Sequence, residues 1–265
     1  MIKISLINFE ASWKDKKANL EKKEKHIKKV LELFPETQVV VFPELSFTGY
    51  VLDEDNKKLA EDENGFCVSE IKKLAKKYWI NIIAWFIEKN FEKKPFNSAM
   101  VVSKEWKLIT TYAKTHLFSQ CPEPKLYSAW KSLKTFELEW VKCGLYICFD
   151  NRYPKLFEAY KKEKVECLFW IHAWVSDRNK KEIFDVITKT RAHENQYFIA
   201  WIDCIGSDVN TSYTGSSCIS SPFSEDIKQT KEDIYHYAEI NLDDIKNISK
   251  ILPLWPSYLE KYDVN

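Results

Sequence analysis

The sequence predicts an α/β protein, and three observations carry that reading. Short runs rich in Val, Ile, Phe and Trp alternate with Lys/Glu-rich stretches whose apolar residues recur every three or four positions, a βα rhythm. Several of the runs are apolar on both faces, which suits strands in a sheet covered by helices. With 265 residues, 45% of them hydrophobic and 30% charged, the chain can build one large core. Its 5 Gly and 9 Pro are too few for a collagen-like, low-complexity or largely disordered protein. No internal repeat, Gly/Ser linker or charge block divides the chain, so a single domain over 1–265 is expected.

The rhythm places the first strand at 2–9 and the first helix at 16–33. In that helix Leu20, Ile27, Val30, Leu31 and Phe34 form the buried stripe, and the many lysines read as its solvated face. A strand at 38–42 is followed by a helix at 69–78 and by strands at 81–88, 98–103 and 108–112. The run CGLYIC closes a strand at 142–148, and Pro154 suits the first turn of a helix at 154–164. A strand at 167–172, a helix at 179–195 and strands at 197–204 and 216–220 complete the set.

Composition excludes several function classes. Lys and Arg total 40 against 39 Asp and Glu, a net charge of +1, so the broad positive field that draws in nucleic acid or anionic membrane is missing. A small uncharged or zwitterionic partner fits better. No window approaches the ~20 apolar residues of a membrane span, and the first residues carry no secretory pattern, so a cytoplasmic protein is expected. Its 7 cysteines are odd in number and scattered, and are read as reduced thiols. Without C-x-x-C or an i, i+4 His pair, no structural metal is inferred. Gly49, Gly65, Gly144, Gly206 and Gly215 stand too far apart to assemble a phosphate loop.

Three polar residues sit at the carboxyl ends of predicted strands, where open α/β sheets gather their ligand-binding groups. Glu44 follows VVVFP and precedes LSFTGY, so a carboxylate leaves a buried strand and must be paired, hydrogen-bonded or raised in pKa. Lys114 lies between a strand and the loop THLF. Cys148 ends a strand just before a turn and a helix, a setting whose dipole and free N–H groups favour thiolate and can bind an oxyanion. Cys143, Cys167, Cys204 and Cys218 fall within strands and Cys67 and Cys121 in loops, and all six read as packing residues. A Cys-His dyad would need His116, His172 or His193 nearby; a buried Glu44 can serve as the base instead. Serine nucleophiles are weaker candidates, since no G-x-S-x-G elbow occurs and the pairs Ser69/Lys72 and Ser128/Lys131 are short coincidences.

These segments resemble the nitrilase superfamily of carbon–nitrogen hydrolases over essentially the whole chain. FPELSFTGY (42–50) is similar to its glutamate motif, YAKTHLF (112–118) to its lysine motif and GLYICFDNRYPKLF (144–157) to its nucleophile motif. TRAHENQYFIAW (190–201) resembles the A-x-E-N-Q helix and strand, and SPFSE from Ser221 the N-P-x-G-E hairpin, with Ser221 and Ser224 in place of its Asn and Gly. CPEPKLYSAW resembles the omega-amidase branch, which implies a second glutamate, Glu123, otherwise only a loop carboxylate between Pro122 and Pro124. Two departures bear on the substrate: the pocket strand reads Asp203-Cys204, and a His-Trp pair is absent near 182–184.

The resemblance implies a four-layer αββα sandwich, usually paired into a homodimer, and covalent hydrolysis of a small linear amide with no metal or organic cofactor. Cys148 would be the nucleophile and Glu44 the base. Lys114 and the Phe149 N–H would hold the oxyanion. Glu123 would orient the amide nitrogen and then the water. Phe118 and Trp174, taken as buried, would exclude solvent. Arg152 and Arg178 lie in segments suited to a substrate carboxylate, although Arg152 could instead hold Asp150. A short ω-amide such as 2-oxoglutaramate is the preferred substrate. Nitrile hydrolysis, N-acyl transfer and a catalytically silent scaffold are the alternatives.

Overall fold

The computed structural model describes residues 1–209 and 211–254; residues 255–265 of the expected single domain lie outside the described residues. In chain order the elements are β1 (Ile2–Ile7), α1 (Lys16–Leu33), β2 (Val39–Val41), α2 (Asp55–Leu59), α3 (Phe66–Tyr78), β3 (Asn81–Glu88), β4 (Phe96–Val102), β5 (Leu108–Ala113), α4 (Glu123–Leu126) and β6 (Thr135–Leu138). They continue with β7 (Val141–Ile147), a 3-10 turn (Cys148–Arg152), α5 (Pro154–Lys162), β8 (Cys167–His172), α6 (Lys180–Asn195), β9 (Phe198–Asp203), β10 (Ser217–Ser220), β11 (Gln229–Lys231), β12 (Tyr235–Ile240) and α7 (Asp243–Ile251).

Two sheets form, one in the order β11-β12-β1-β2-β3-β4-β5 and one in the order β10-β9-β8-β7-β6. Each has three parallel strands at its heart, β1-β2-β3 and β7-β8-β9, flanked by antiparallel partners. Across the interior β1 approaches β9 and β5 approaches β7. Helices α1 and α3 pack together on the first sheet and α5 and α6 on the second, which gives the expected αββα layering. The strands of the parallel hearts are buried on both faces, as their continuous apolar runs require. In β7, Gly144 is where the sheet meets α5: a Cβ there would fall 2.7 Å from the Tyr160 ring and from Leu168.

The structure adds elements that periodicity does not show. β12 pairs with β1 along its whole length, Ile2 opposite Ile240, yet its sequence YHYAEI lacks the doubly apolar signature. β6 is four residues long, and α2 and α4 are single turns. Cys67, expected in a loop, is buried in α3, which starts at Phe66 just after Gly65. The lysine reading of α1 also needs correction at one position. Lys23 is fully buried, its Nζ donating to the Ser46 carbonyl and lying 4.2 Å from the centroids of Phe9 and Phe47.

With only 5 glycines in the chain, several turns that need left-handed backbone carry other residues. Trp79, Trp106 and Trp140 have φ of 55°, 71° and 67°. All three are exposed, Trp140 to 94%.

Candidate active site

The carboxyl ends of β2, β5, β7 and β8 point to one end of the sandwich, and the chain leaves them at Glu44, Lys114, Cys148 and Ala173. These residues come from both sheets and line one pocket of about 50 Å³. A single enclosed water needs ~10–15 Å³, so the pocket suits a small molecule rather than a polymer. Phe118, Phe149 and Trp174 supply its aromatic wall, and Tyr50, which sequence reasoning missed, is also part of it. Trp174 is 5% exposed, whereas Phe118 is only half-buried, contrary to expectation, and packs edge-on against Phe149 at 5.3 Å.

Lys114 is buried and sits between two buried carboxylates. Its Nζ lies 3.1 Å from Glu44 Oε1 and 3.1 and 3.2 Å from Glu123 Oε1 and Oε2. Burial alone would pull the lysine pKa down, but Glu123 and Glu44 outweigh it and hold the ammonium well above its usual range. Burial drives the Glu44 pKa up and the Glu123 charge adds to it, while Lys114 opposes both. Glu44 is further fixed by Asn97 Nδ2 on Oε1 at 2.7 Å and by the Ala173 N–H on Oε2 at 2.9 Å. A carboxylate whose pKa is raised and whose position is locked is suited to act as a base near neutrality.

Glu123 opens α4 rather than lying in a loop, and it is fully buried behind Lys114, off the pocket wall. Asn97 Nδ2 donates to its Oε1 at 2.8 Å and the Phe118 N–H to its Oε2 at 2.5 Å. Asn97 thus bridges both carboxylates, and Trp85 Nε1 donates to its Oδ1 at 2.6 Å. A buried Asn on β4 gives no local sequence signal, which is why Asn97 was not anticipated.

Cys148 has φ of +43°, a left-handed conformation costly for a residue with a side chain. It begins a 3-10 turn that runs to Arg152, and the regular helix starts at Pro154, as expected. The expectation of a favoured thiolate needs correction. Burial and the Glu44 charge push its pKa well above the usual range, with Lys114 opposing, so the resting sulfur is a thiol. Asp150 fixes the turn. Its Oδ2 accepts from Tyr112 Oη at 2.8 Å and from the Ile147 N–H at 3.1 Å, and its Oδ1 from Thr115 Oγ1 at 2.6 Å and the His116 N–H at 2.8 Å. The lysine loop and the cysteine turn are thereby tied through one buried carboxylate.

The histidines lie elsewhere. His116 Nδ1 is 2.8 Å from Asp150 Oδ1 and its ring stacks on Tyr153, His193 Nδ1 is 2.8 Å from the Pro222 carbonyl, and His172 is buried 3.2 Å from Asp203. Arg152 does not hold Asp150; its guanidinium lies over the Trp174 ring, 5.2 Å from the centroid, at the pocket. Arg178 is exposed and off the pocket wall. Among the described residues no group of His, Cys, Asp and Glu is arranged to hold a metal ion, and no helix is long and apolar enough to cross a membrane.

Comparison with known proteins agrees with this geometry. A carbon-nitrogen hydrolase family profile matches residues 3–250. The 2-oxoglutaramate amidase of Bacillus subtilis is 29% identical over 253 residues, covering 95% of each chain. A probable nitrilase of Schizosaccharomyces pombe is 30% identical over 242 residues, 89% of this chain and 87% of the relative. Among solved structures, Saccharomyces cerevisiae Nit3, a member of branch 10 of the nitrilase superfamily, superposes with a TM-score of 0.86 at 23% identity, covering 96% of this chain and 94% of that one. The paired carboxylates, the buried lysine and the cysteine on its strained turn therefore belong to a member of the carbon–nitrogen hydrolase family.

Proposed function

We propose that the protein hydrolyses the amide end of a short linear ω-amide acid, of which 2-oxoglutaramate is the preferred example, through a cysteine thioester. The observation that carries the reading is Lys114 held between Glu44 and Glu123 on the wall of the pocket that contains Cys148. The B. subtilis relative's name adds support for the substrate.

Because the resting sulfur is a thiol, attack is coupled to proton loss: Glu44 takes the Sγ proton as the S–C bond forms. The carbonyl electron pair moves onto oxygen, which Lys114 Nζ and the Phe149 N–H stabilise; removing one such donor elsewhere costs about 2.7–4 kcal/mol. Collapse breaks the C–N bond, and Glu44 returns its proton to the departing nitrogen, so ammonia leaves. Water then attacks the thioester, Glu44 accepts its proton, and return of that proton to sulfur releases the acid and restores the enzyme. Glu123 acts through Lys114, fixing the ammonium, rather than by touching the substrate nitrogen. The small pocket limits the water available to compete.

The reading extends to a single catalytic unit over 1–265 that works as a homodimer in the cytoplasm. Size-exclusion with light scattering tests the dimer. Ammonia release from a panel of small amides and nitriles, with mass spectrometry of the trapped enzyme, tests the chemistry. The expected result is release from ω-amide acids, loss in Cys148→Ala, and an acyl adduct on the peptide containing Cys148. Release by Cys148→Ala at the wild-type rate would refute it. Product analysis separates hydrolysis from acyl transfer.

A further inference from the structure

Besides Lys114, two cations reach the pocket, and they come from different elements: Arg152 from the turn after Cys148 and Lys180 from the start of α6. They converge on one ring. The Arg152 guanidinium lies 5.2 Å and Lys180 Nζ 5.4 Å from the Trp174 centroid. Lys114 is fully engaged by two carboxylates, whereas neither Arg152 nor Lys180 forms an ion pair among the described residues. A cation held only over an aromatic face keeps its hydrogen-bonding capacity, which an anionic group can take up. Two like charges drawn to one indole also repel each other, and an anion placed between them removes that repulsion.

We propose that Lys180 is the specificity-determining residue of this pocket and, with Arg152, forms an anion-binding end that selects amides carrying a carboxylate opposite the scissile group. The assignment rests on the reading above in one respect, that the amide lies at Cys148. Arg152 offers a planar fork that can grip both carboxylate oxygens, and Lys180 a mobile point charge that closes on them from α6. Trp174 is the apolar floor that keeps both side chains over the pocket. The small volume then sets the chain between amide and carboxylate at a few carbons.

The test uses two amides of nearly the same shape, succinamate and butyramide, which differ in carrying a carboxylate or a methyl group at the far end. Wild type is expected to favour succinamate. Lys180→Gln is expected to cut the succinamate-to-butyramide ratio of kcat/KM at least tenfold, chiefly through KM, and Lys180→Arg to restore most of it. An unchanged ratio in Lys180→Gln overturns the proposal. If wild type hydrolyses neither amide, the catalytic reading fails on its own, and calorimetry with succinate still decides the subsite. Binding weakened at least tenfold in Lys180→Gln supports it, and equal binding overturns it.

Discussion

Ala173 stands between Cys148 and Glu44: its N–H donates to Glu44 Oε2 at 2.9 Å, and its carbonyl oxygen lies 4.0 Å from Cys148 Sγ. One residue just after β8 therefore spaces the carboxylate contributed by the first sheet, the proposed base, from the thiol contributed by the second, the proposed nucleophile. The next residue repeats the device, the Trp174 N–H donating to Asp203 Oδ1 at 2.7 Å.

Glu44 is the proposed acceptor of the thiol proton and, by its charge, adds to burial in keeping the thiol pKa high. Glu44→Gln should therefore separate two readouts. Hydrolysis falls by about 10²–10⁴, the usual worth of a general base, while iodoacetamide labelling of Cys148 at pH 8 becomes faster than in wild type. Slower labelling in the variant would show that the glutamate does not raise the thiol pKa.

Lys114→Met removes the proposed oxyanion donor and leaves two buried carboxylates facing each other. The expected loss is about 10²–10³ in kcat, with about 3–5 kcal/mol of stability from breaking a buried ion pair. Adding Glu123→Gln should recover part of the melting temperature and none of the rate. Recovery of both would assign the lysine a structural role only.

Asn97 donates to both glutamates from one nitrogen. Asn97→Ala should cost about 1–3 kcal/mol, the desolvation of buried acceptors left short of a partner. Asn97→Asp, although nearly isosteric, puts a third carboxylate beside the pair and should unfold at lower denaturant than Asn97→Ala. The reverse order in urea titrations would contradict the bridge.

Lys23 is caged by aromatic rings, with no carboxylate paired to it among the described residues, and burial lowers its pKa well below the usual ~10.4, with Cys67 and Cys204 opposing. Between the lowered value and ~10.4 the unfolded chain holds one more proton than the folded one, so stability rises with pH there by about 1.4 kcal/mol per pH unit. Lys23→Met should flatten that slope and raise the melting temperature at pH 7. A slope identical to wild type all the way up to pH ~10.4 would mean that Lys23 is charged in the fold.

Trp140 is 94% exposed at φ 67°. Trp140→Gly relieves left-handed strain and should stabilise by about 1 kcal/mol, whereas Trp140→Ala keeps the strain and should gain nothing. Chemical denaturation of the pair checks this, and equal stabilities would place the strain elsewhere.

The sequence alone was enough to order the βα units, because strands buried on both faces must be apolar and helices on a sheet must be striped. Glu44, Lys114 and Cys148 were suggested by their places at the ends of apolar runs, and the resemblance of their segments to the family's motifs singled them out. β12, Asn97 and the burial of Lys23 were not legible, since each depends on what lies opposite in space. YHYAEI becomes an interior strand only when β1 takes up its hydrogen bonds, and Lys23 is enclosed only when Phe9 and Phe47 close on it.

Residue type and order thus determined the layers and pointed to the candidate reacting groups. The tertiary structure decided their chemical state: Glu123 sits behind Lys114, the resting sulfur is a thiol, and Arg152 shares Trp174 with Lys180. The physical reason is that pKa and pairing follow from burial and from charges a few ångströms away, and chain segments far apart in sequence supply both.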